Sequence, residues 1–142
     1  MNPSAIFGPF FALMLLTLAV WIYMYIRRIH FLQSNDIQPG QISTPEALAR
    51  LTPPAVATPS DNLKNLFELP VLFYGLCLYL FATGQVDGGY VAAGWVFAAF
   101  RALHSAVHCT FNHIMTRFTL YAVASLALWV MLVRAAVAHF SS

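Results

Sequence analysis

The segment FRALHSAVHCTFNHIMTRFTLY, residues 100–121, places two arginines and three histidines inside an otherwise apolar chain. Hydrophobic residues make up 60% of the 142 residues and charged residues only 8%, whereas a soluble domain carries about a quarter charged residues. Ionisable side chains in a membrane span are costly, and they usually face a protein interior, a partner or a water-filled cavity. The segment therefore indicates an integral membrane protein with a polar site.

Four apolar stretches are long enough to cross the hydrocarbon core, which takes about 20 helical residues. The predicted spans cover about residues 5–29, 62–84, 88–109 and 114–138, and a proline-rich connection covers about residues 30–61. Thr44 followed by Pro45 resembles a helix start and predicts a short helix to Leu51, with the rest of this connection extended or irregular. The sequence predicts an all-α membrane protein, residues 1–142, folded as one four-helix bundle.

The basic residues predict the orientation of this bundle. They border or lie within the first connection and follow the third, and the second connection has none. The positive-inside rule then places the first and third connections in the cytoplasm and both termini outside. Arg134 is the one residue that counts against this orientation. The short loops favour a bacterial inner membrane, and no exposed basic patch supports nucleic-acid binding.

Polar residues on three predicted spans lie at one level near the cytoplasmic side. Arg101, His104 and His108 are spaced i, i+3, i+7 and share one helix face. Asn65 and Glu68 form a second stripe, Arg117 reaches the same level, and Pro70 is expected to free the carbonyl of Leu66 and bend the second span. The pattern predicts a polar pocket, and its excess of positive charge indicates an anionic ligand. The alternative is structural, with Glu68 and Arg101 neutralising each other inside the bundle.

These residues resemble a known family. The pattern R-x-x-H-x-x-x-(Y/H)-x8-R-x3-Y within residues 100–121, together with N-x-x-E ahead of a proline in NLKNLFELPVLFYGLCLYLF, residues 62–81, is similar to the MAPEG superfamily, the membrane-associated proteins in eicosanoid and glutathione metabolism. The spacing is similar to that of microsomal prostaglandin E synthase. The resemblance implies a homotrimer that binds glutathione as co-substrate between neighbouring subunits and acts on a lipophilic small molecule in the lipid bilayer.

The resemblance also implies roles for individual residues. Arg117 matches the catalytic arginine that stabilises the glutathione thiolate, and a guanidinium favours a thiolate because it lowers the pKa of the thiol. Glu68 matches the carboxylate that meets the ammonium of the tripeptide, and Lys64 matches a residue that contacts a glutathione carboxylate. The other implied glutathione-binding positions are Arg27, Asn65, Arg101, His104, His108 and Tyr121. No metal site is expected.

Two departures from the family pattern leave the activity open. Asp61 stands where eicosanoid-forming members carry an arginine, and His108 replaces the usual tyrosine. The resemblance predicts a glutathione transferase-like enzyme or a peroxidase for lipophilic electrophiles. The alternatives are a non-catalytic lipid-binding scaffold of the same family and, more remotely, a metal or haem protein that uses His104, His108, Cys109 or His113.

Overall fold

The computed structural model describes residues 1–142, which form six α-helices and no strand. The helices are α1 (Phe7–Ser34), α2 (Pro45–Leu51), α3 (Pro54–Leu66), α4 (Leu69–Ala82), α5 (Gly88–Cys109) and α6 (Ile114–Phe140), with short 3-10 turns at Pro3–Ile6 and Pro39–Ile42. Four helical stretches are long and apolar enough to cross a membrane: Pro3–Ser34, Pro54–Ala82, Gly88–Cys109 and Ile114–Phe140. This architecture confirms the predicted all-α membrane fold.

Side chains cap three of the helices at their N-termini, where backbone N–H groups lack helical partners. Thr44 Oγ1 accepts from the N–H of Ala47 at 3.1 Å, so the predicted helix from Pro45 to Leu51 is confirmed. Asp87 Oδ1 accepts from the N–H of Tyr90 at 3.1 Å at the start of α5. His113 Nδ1 accepts from the N–H of Thr116 at 3.3 Å at the start of α6.

Residues 54–61 belong to helix α3. The prediction that the connection is extended or irregular after Leu51 is therefore wrong for these residues. Pro54 occupies the first turn of α3, where its missing N–H costs nothing. Pro59 lies inside the same helix and leaves the carbonyl of Ala55, four residues earlier, without a helical donor. Arg27 Nη2 donates to this carbonyl at 3.1 Å. A contact from α1 thus compensates for a proline that would otherwise argue against a helix.

The second span is interrupted between α3 and α4 at Phe67 and Glu68, two residues before Pro70. Glu68 has φ −96° and ψ −103°, outside the helical region. The N–H of Phe67 bonds to Lys64 O and the N–H of Glu68 to Asn65 O, both at 3.1 Å, so α3 closes with tight turns. The sequence predicts a bend at Pro70, whereas the structure has a break in the helix just before this residue.

The core of the bundle forms where α5 packs against α1, α4 and α6. In the central part of α5, Phe97 is fully buried and its ring centroid lies 4.8 Å from that of Phe73 on α4. Gly94 allows close packing, because a Cβ at this position would lie 3.0 Å from Pro9 and 3.5 Å from Phe73. Of the four spans, α5 is the most buried. In its most apolar 18 residues 44% are buried, against 28% in the spans that contain α1 and α6. The predicted polar face of α5 therefore lies on the innermost helix.

The end of the bundle that carries the second connection has its own ionic contact. Arg134 on α6 donates to both carboxylate oxygens of Asp87, with 2.8 Å between Nη1 and Oδ1. Its guanidinium carbon also lies 4.1 Å from the ring centroid of Tyr90. Arg134, the one residue at odds with the predicted orientation, is thus paired with a carboxylate.

Candidate functional site

The guanidinium of Arg101 is fully buried in the centre of the bundle. The residue has a relative exposure of 0%, and Nε, Nη1 and Nη2 all lack a hydrogen-bond partner within the chain. The only ion pair in the structure joins Arg134 to Asp87, so the alternative ion pair between Glu68 and Arg101 is not formed within the subunit. Leaving a buried charge unpaired is strongly unfavourable. The guanidinium of Arg101 is therefore available to a hydrogen-bond acceptor from outside the subunit.

Two histidines and a tyrosine surround Arg101. His104 and His108 are buried on the same face of α5, with ring centroids 5.7 Å apart. The ring of Tyr121 on α6 lies 5.8 Å from the ring centroid of His104, and its centroid lies 5.8 Å from the guanidinium carbon of Arg101. The Nδ1 atoms of both histidines have no partner within the chain. The spacing of these residues in the sequence thus corresponds to one contiguous polar wall.

Further unpartnered polar atoms belong to α3 and α4. The side-chain oxygen of Asn65 and the hydroxyl of Tyr74 are buried without a hydrogen bond. We call Asn65, Tyr74, Arg101, His104 and His108 the buried polar cluster. Seven of its side-chain atoms lack partners, whereas buried polar groups are nearly always hydrogen-bonded, so the cluster has the character of a binding site.

Glu68 does not join the interior of the subunit. It lies exposed at the break between α3 and α4, so the prediction that it faces the bundle interior is wrong for this subunit. The physical reason is that α3 ends at Leu66, and the helical periodicity that would align Glu68 with Asn65 stops there. The carboxylate is therefore accessible from outside the subunit.

Arg117 is half-buried near the start of α6. Its Nη1 donates to Asn112 Oδ1 at 2.6 Å, and Asn112 is held by a bond from its N–H to Val107 O at 2.8 Å. Arg117 precedes Tyr121 by four residues on α6, so the two share a helix face, and the ring centroid of Tyr121 lies 5.8 Å from that of His104. The hydrogen-bond partner of Arg117 is neutral, and its positive charge is therefore not compensated.

The remaining predicted site residues occupy other positions. Arg27 donates to the hydroxyl of Tyr23 at 2.7 Å and to Ala55 O, so its terminal nitrogens are used within the subunit. Lys64 is exposed in the last turn of α3 and forms no ion pair. No group of three or more His, Cys, Asp and Glu side chains is placed to hold a metal ion. His113 instead caps α6 through its Nδ1.

Two buried polar residues were not predicted as part of the site. Asn62 has a relative exposure of 0%, accepts from Ser105 Oγ at 3.3 Å and donates to Cys109 Sγ at 3.6 Å. Its position three residues before Asn65 was a usable signal, because the two share a helix face. Tyr74 carried no such signal, since an aromatic residue in an apolar span equally fits packing.

Comparison with known proteins identifies the family. The model of the MAPEG family matches residues 6–137, which covers nearly the whole chain. The chain belongs to the MAPEG family. No curated protein and no solved structure matches it. Membership and the four membrane-competent helices make this MAPEG protein a multi-pass integral membrane protein related to glutathione metabolism.

Proposed function

We propose that this MAPEG protein is a glutathione-dependent transferase or peroxidase that acts on lipophilic electrophiles in the membrane. The observation that carries the proposal is the guanidinium of Arg101, which is fully buried with all three nitrogens unpartnered beside the unpartnered atoms of Asn65, His104 and His108. Glutathione has two carboxylates, an ammonium and a thiol, so its charges complement a cluster rich in donors. Charge-assisted hydrogen bonds to an anion are the strong ones.

Arg117 has the role of stabilising the thiolate in this proposal. A thiol with a pKa near 8.5 is mostly protonated at neutral pH, and an adjacent guanidinium favours the anion, which is the nucleophile. The uncompensated charge of Arg117 beside the cluster supports this role. In the transfer reaction the thiolate sulfur forms a bond to the electrophilic carbon, and the leaving group departs with its electron pair.

The exposed side chains have the complementary role of holding the charged ends of glutathione. Glu68 binds its ammonium and Lys64 one of its carboxylates. Tyr121 is a further family position at the site, whereas the terminal nitrogens of Arg27 are engaged within the subunit. Because Glu68 points away from its own bundle, we propose that glutathione binds between subunits of a homotrimer. The first connection then faces the cytoplasm, as the positive-inside rule indicates.

The proposal is tested by two substitutions that should act in opposite ways. Arg117→Ala should raise the pKa of bound glutathione and reduce turnover while changing affinity less than tenfold, about 1.4 kcal/mol. Glu68→Gln should weaken binding by about 1.5–3 kcal/mol, because a charge-assisted contact to the ammonium is lost. Ultraviolet absorbance of the thiolate, titrated against pH, measures the first effect, and calorimetric titration measures the second.

Matched controls come from charged residues of α2 that lie away from the cluster. Arg50→Ala and Glu46→Gln remove the same charges from exposed positions, and both proteins should behave as the wild type. If the thiolate titrations of wild type and Arg117→Ala coincide, Arg117 does not stabilise the thiolate. If the wild type binds no glutathione, the non-catalytic lipid-binding scaffold is the function of this family member.

A further inference from the structure

A second polar site lies in the first connection. A pocket of about 470 Å³ opens between Arg28 of α1, the short helix α2 and one face of α3 from Ala57 to Lys64. Its wall includes Arg28, Lys64 and Asp61 together with hydroxyl groups such as those of Thr44 and Ser60. Lys64 is the only one of its lining residues among the predicted glutathione-binding positions, and none belongs to the buried polar cluster.

The charges of this pocket are available to a ligand. Arg28, Asp61 and Lys64 form no ion pair, although the latter two are three residues apart on α3. Arg28 Nη2 donates to Ser60 Oγ at 3.2 Å, and this bond points the guanidinium toward α3. The pocket is therefore lined by two cations and one carboxylate, a combination that suits a ligand with an anionic and a cationic group.

Arg28 connects the pocket to an aromatic face of α1. Trp21, Tyr25 and Arg28 follow one another at i, i+4 and i+7, so they share a face of the helix. The guanidinium carbon of Arg28 lies 5.9 Å from the ring centroid of Tyr25, whose ring lies 4.8 Å from that of Trp21. Trp21 is 49% and Tyr25 39% exposed. Exposed Trp and Tyr near a span end are typical of the membrane–water interface.

We propose that this pocket binds the headgroup of a zwitterionic phospholipid that carries a primary ammonium, such as phosphatidylethanolamine. The phosphate lies against Arg28, and the ammonium lies against Asp61. The acyl chains leave along Tyr25 and Trp21 into the bilayer. Arginine binds phosphate well because its planar donors match the phosphate oxygens, and basic pockets at the cytoplasmic membrane surface are known to take lipid headgroups.

Asp61 decides the ligand class. Without it, the wall would hold two cations and would suit a purely anionic headgroup. The carboxylate disfavours a second negative charge and can accept hydrogen bonds from a primary ammonium, which the quaternary ammonium of a choline headgroup cannot donate.

Native mass spectrometry of the full-length protein in detergent tests the proposal. Phosphatidylethanolamine, phosphatidylglycerol and phosphatidylcholine with identical acyl chains are supplied at equal concentration. The wild type should retain phosphatidylethanolamine preferentially, by about two- to fivefold, the range expected for partly exposed charge pairs. Asp61→Asn should shift retention toward phosphatidylglycerol, whereas Glu46→Gln, the same charge change outside the pocket, should leave the preference intact.

The arginine of the pocket has its own matched control. Arg28→Gln keeps a donor for Ser60 but loses the phosphate contact, and it should weaken retention of phosphatidylethanolamine and phosphatidylglycerol together. Arg50→Gln, on the exposed part of α2, should weaken neither. Circular dichroism of each variant confirms that the helices are retained, so a change in lipid retention reports on the pocket.

Three outcomes would overturn the proposal. The first is equal retention of the three lipids by the wild type, and the second is the same response from Asp61→Asn and Glu46→Gln. The third is displacement of the lipid by an excess of glutathione or by soluble phosphoethanolamine, which would assign the pocket to a water-soluble zwitterion. Glutathione binding measured in parallel at the buried polar cluster keeps this test separate from that of the proposed function.

Discussion

Arg101 shows how a single residue can favour ligand binding over stability. Its guanidinium is removed from solvent without any acceptor from its own chain. A buried charge that lacks a partner destabilises the fold, and replacing buried ions with apolar residues of similar volume is often neutral or stabilising. Folding therefore does not require the polar face of α5, and we attribute this face to ligand binding.

We therefore expect Arg101→Met to separate the two properties. The ligand-free protein should unfold at an unchanged or higher temperature, with a gain of up to about 1–4 kcal/mol, and glutathione should no longer stabilise it. Thermal unfolding with and without glutathione measures both effects. Arg134→Met is the control, since its guanidinium is paired with Asp87; it should keep the response to glutathione. Strong destabilisation of Arg101→Met with a retained response would contradict the assignment.

At the scale of elements, the contact between α5 and α6 at the second connection depends on pH. The hydrogen bond from Arg134 holds the pKa of Asp87 below its ordinary value of 3.8. A carboxylate with a lowered pKa in the folded protein contributes stability above the ordinary value, and this contribution is lost as pH falls through the lowered one. Both side chains are nearly half exposed, at 49% and 45%, so solvent screens the pair and we expect only a small contribution to stability.

Two substitutions at Asp87 separate the ion pair from the helix cap. Asp87→Asn keeps an acceptor for the N–H of Tyr90 and should remove only the pH-dependent part of the stability. Asp87→Ala removes the cap as well and should cost about a further 1 kcal/mol. Thermal unfolding at neutral pH and below pH 3.8 measures both contributions. An unchanged pH dependence in Asp87→Asn would show that Arg134 does not stabilise the fold through this carboxylate.

At the scale of the whole molecule, the four spans leave large apolar faces uncovered. On α4, Val71, Leu72, Leu78 and Phe81 are between 44% and 51% exposed, and Gly75 lies among them with no atom within 4 Å of its Cβ position. Glu68 is exposed just before the start of the same helix. We propose that this face packs against neighbouring subunits in the homotrimer, because an interhelical contact in lipid favours small residues.

Gly75→Leu should then reduce the trimer population in native mass spectrometry without unfolding the subunit, since the isolated bundle has room for the side chain. Gly40→Leu, at an equally open position outside the spans, should leave assembly unchanged. Gly94→Leu should instead destabilise the bundle itself, because its Cβ would contact Pro9 and Phe73. Wild-type protein that is monomeric across mild detergents would contradict the trimer.

The sequence by itself determined the four apolar spans, the helix capped by Thr44 and the polar face of Arg101, His104 and His108. These features depend on composition and on helical periodicity, which are local properties of the chain. Only the tertiary structure decided that α3 begins at Pro54, because Arg27 of another helix supplies a donor for the carbonyl that Pro59 leaves free. It also decided that Glu68 turns outward and that Tyr74 joins the buried polar cluster. A break in a helix and a contact between distant helices depend on packing across the bundle, which no local pattern in the sequence records.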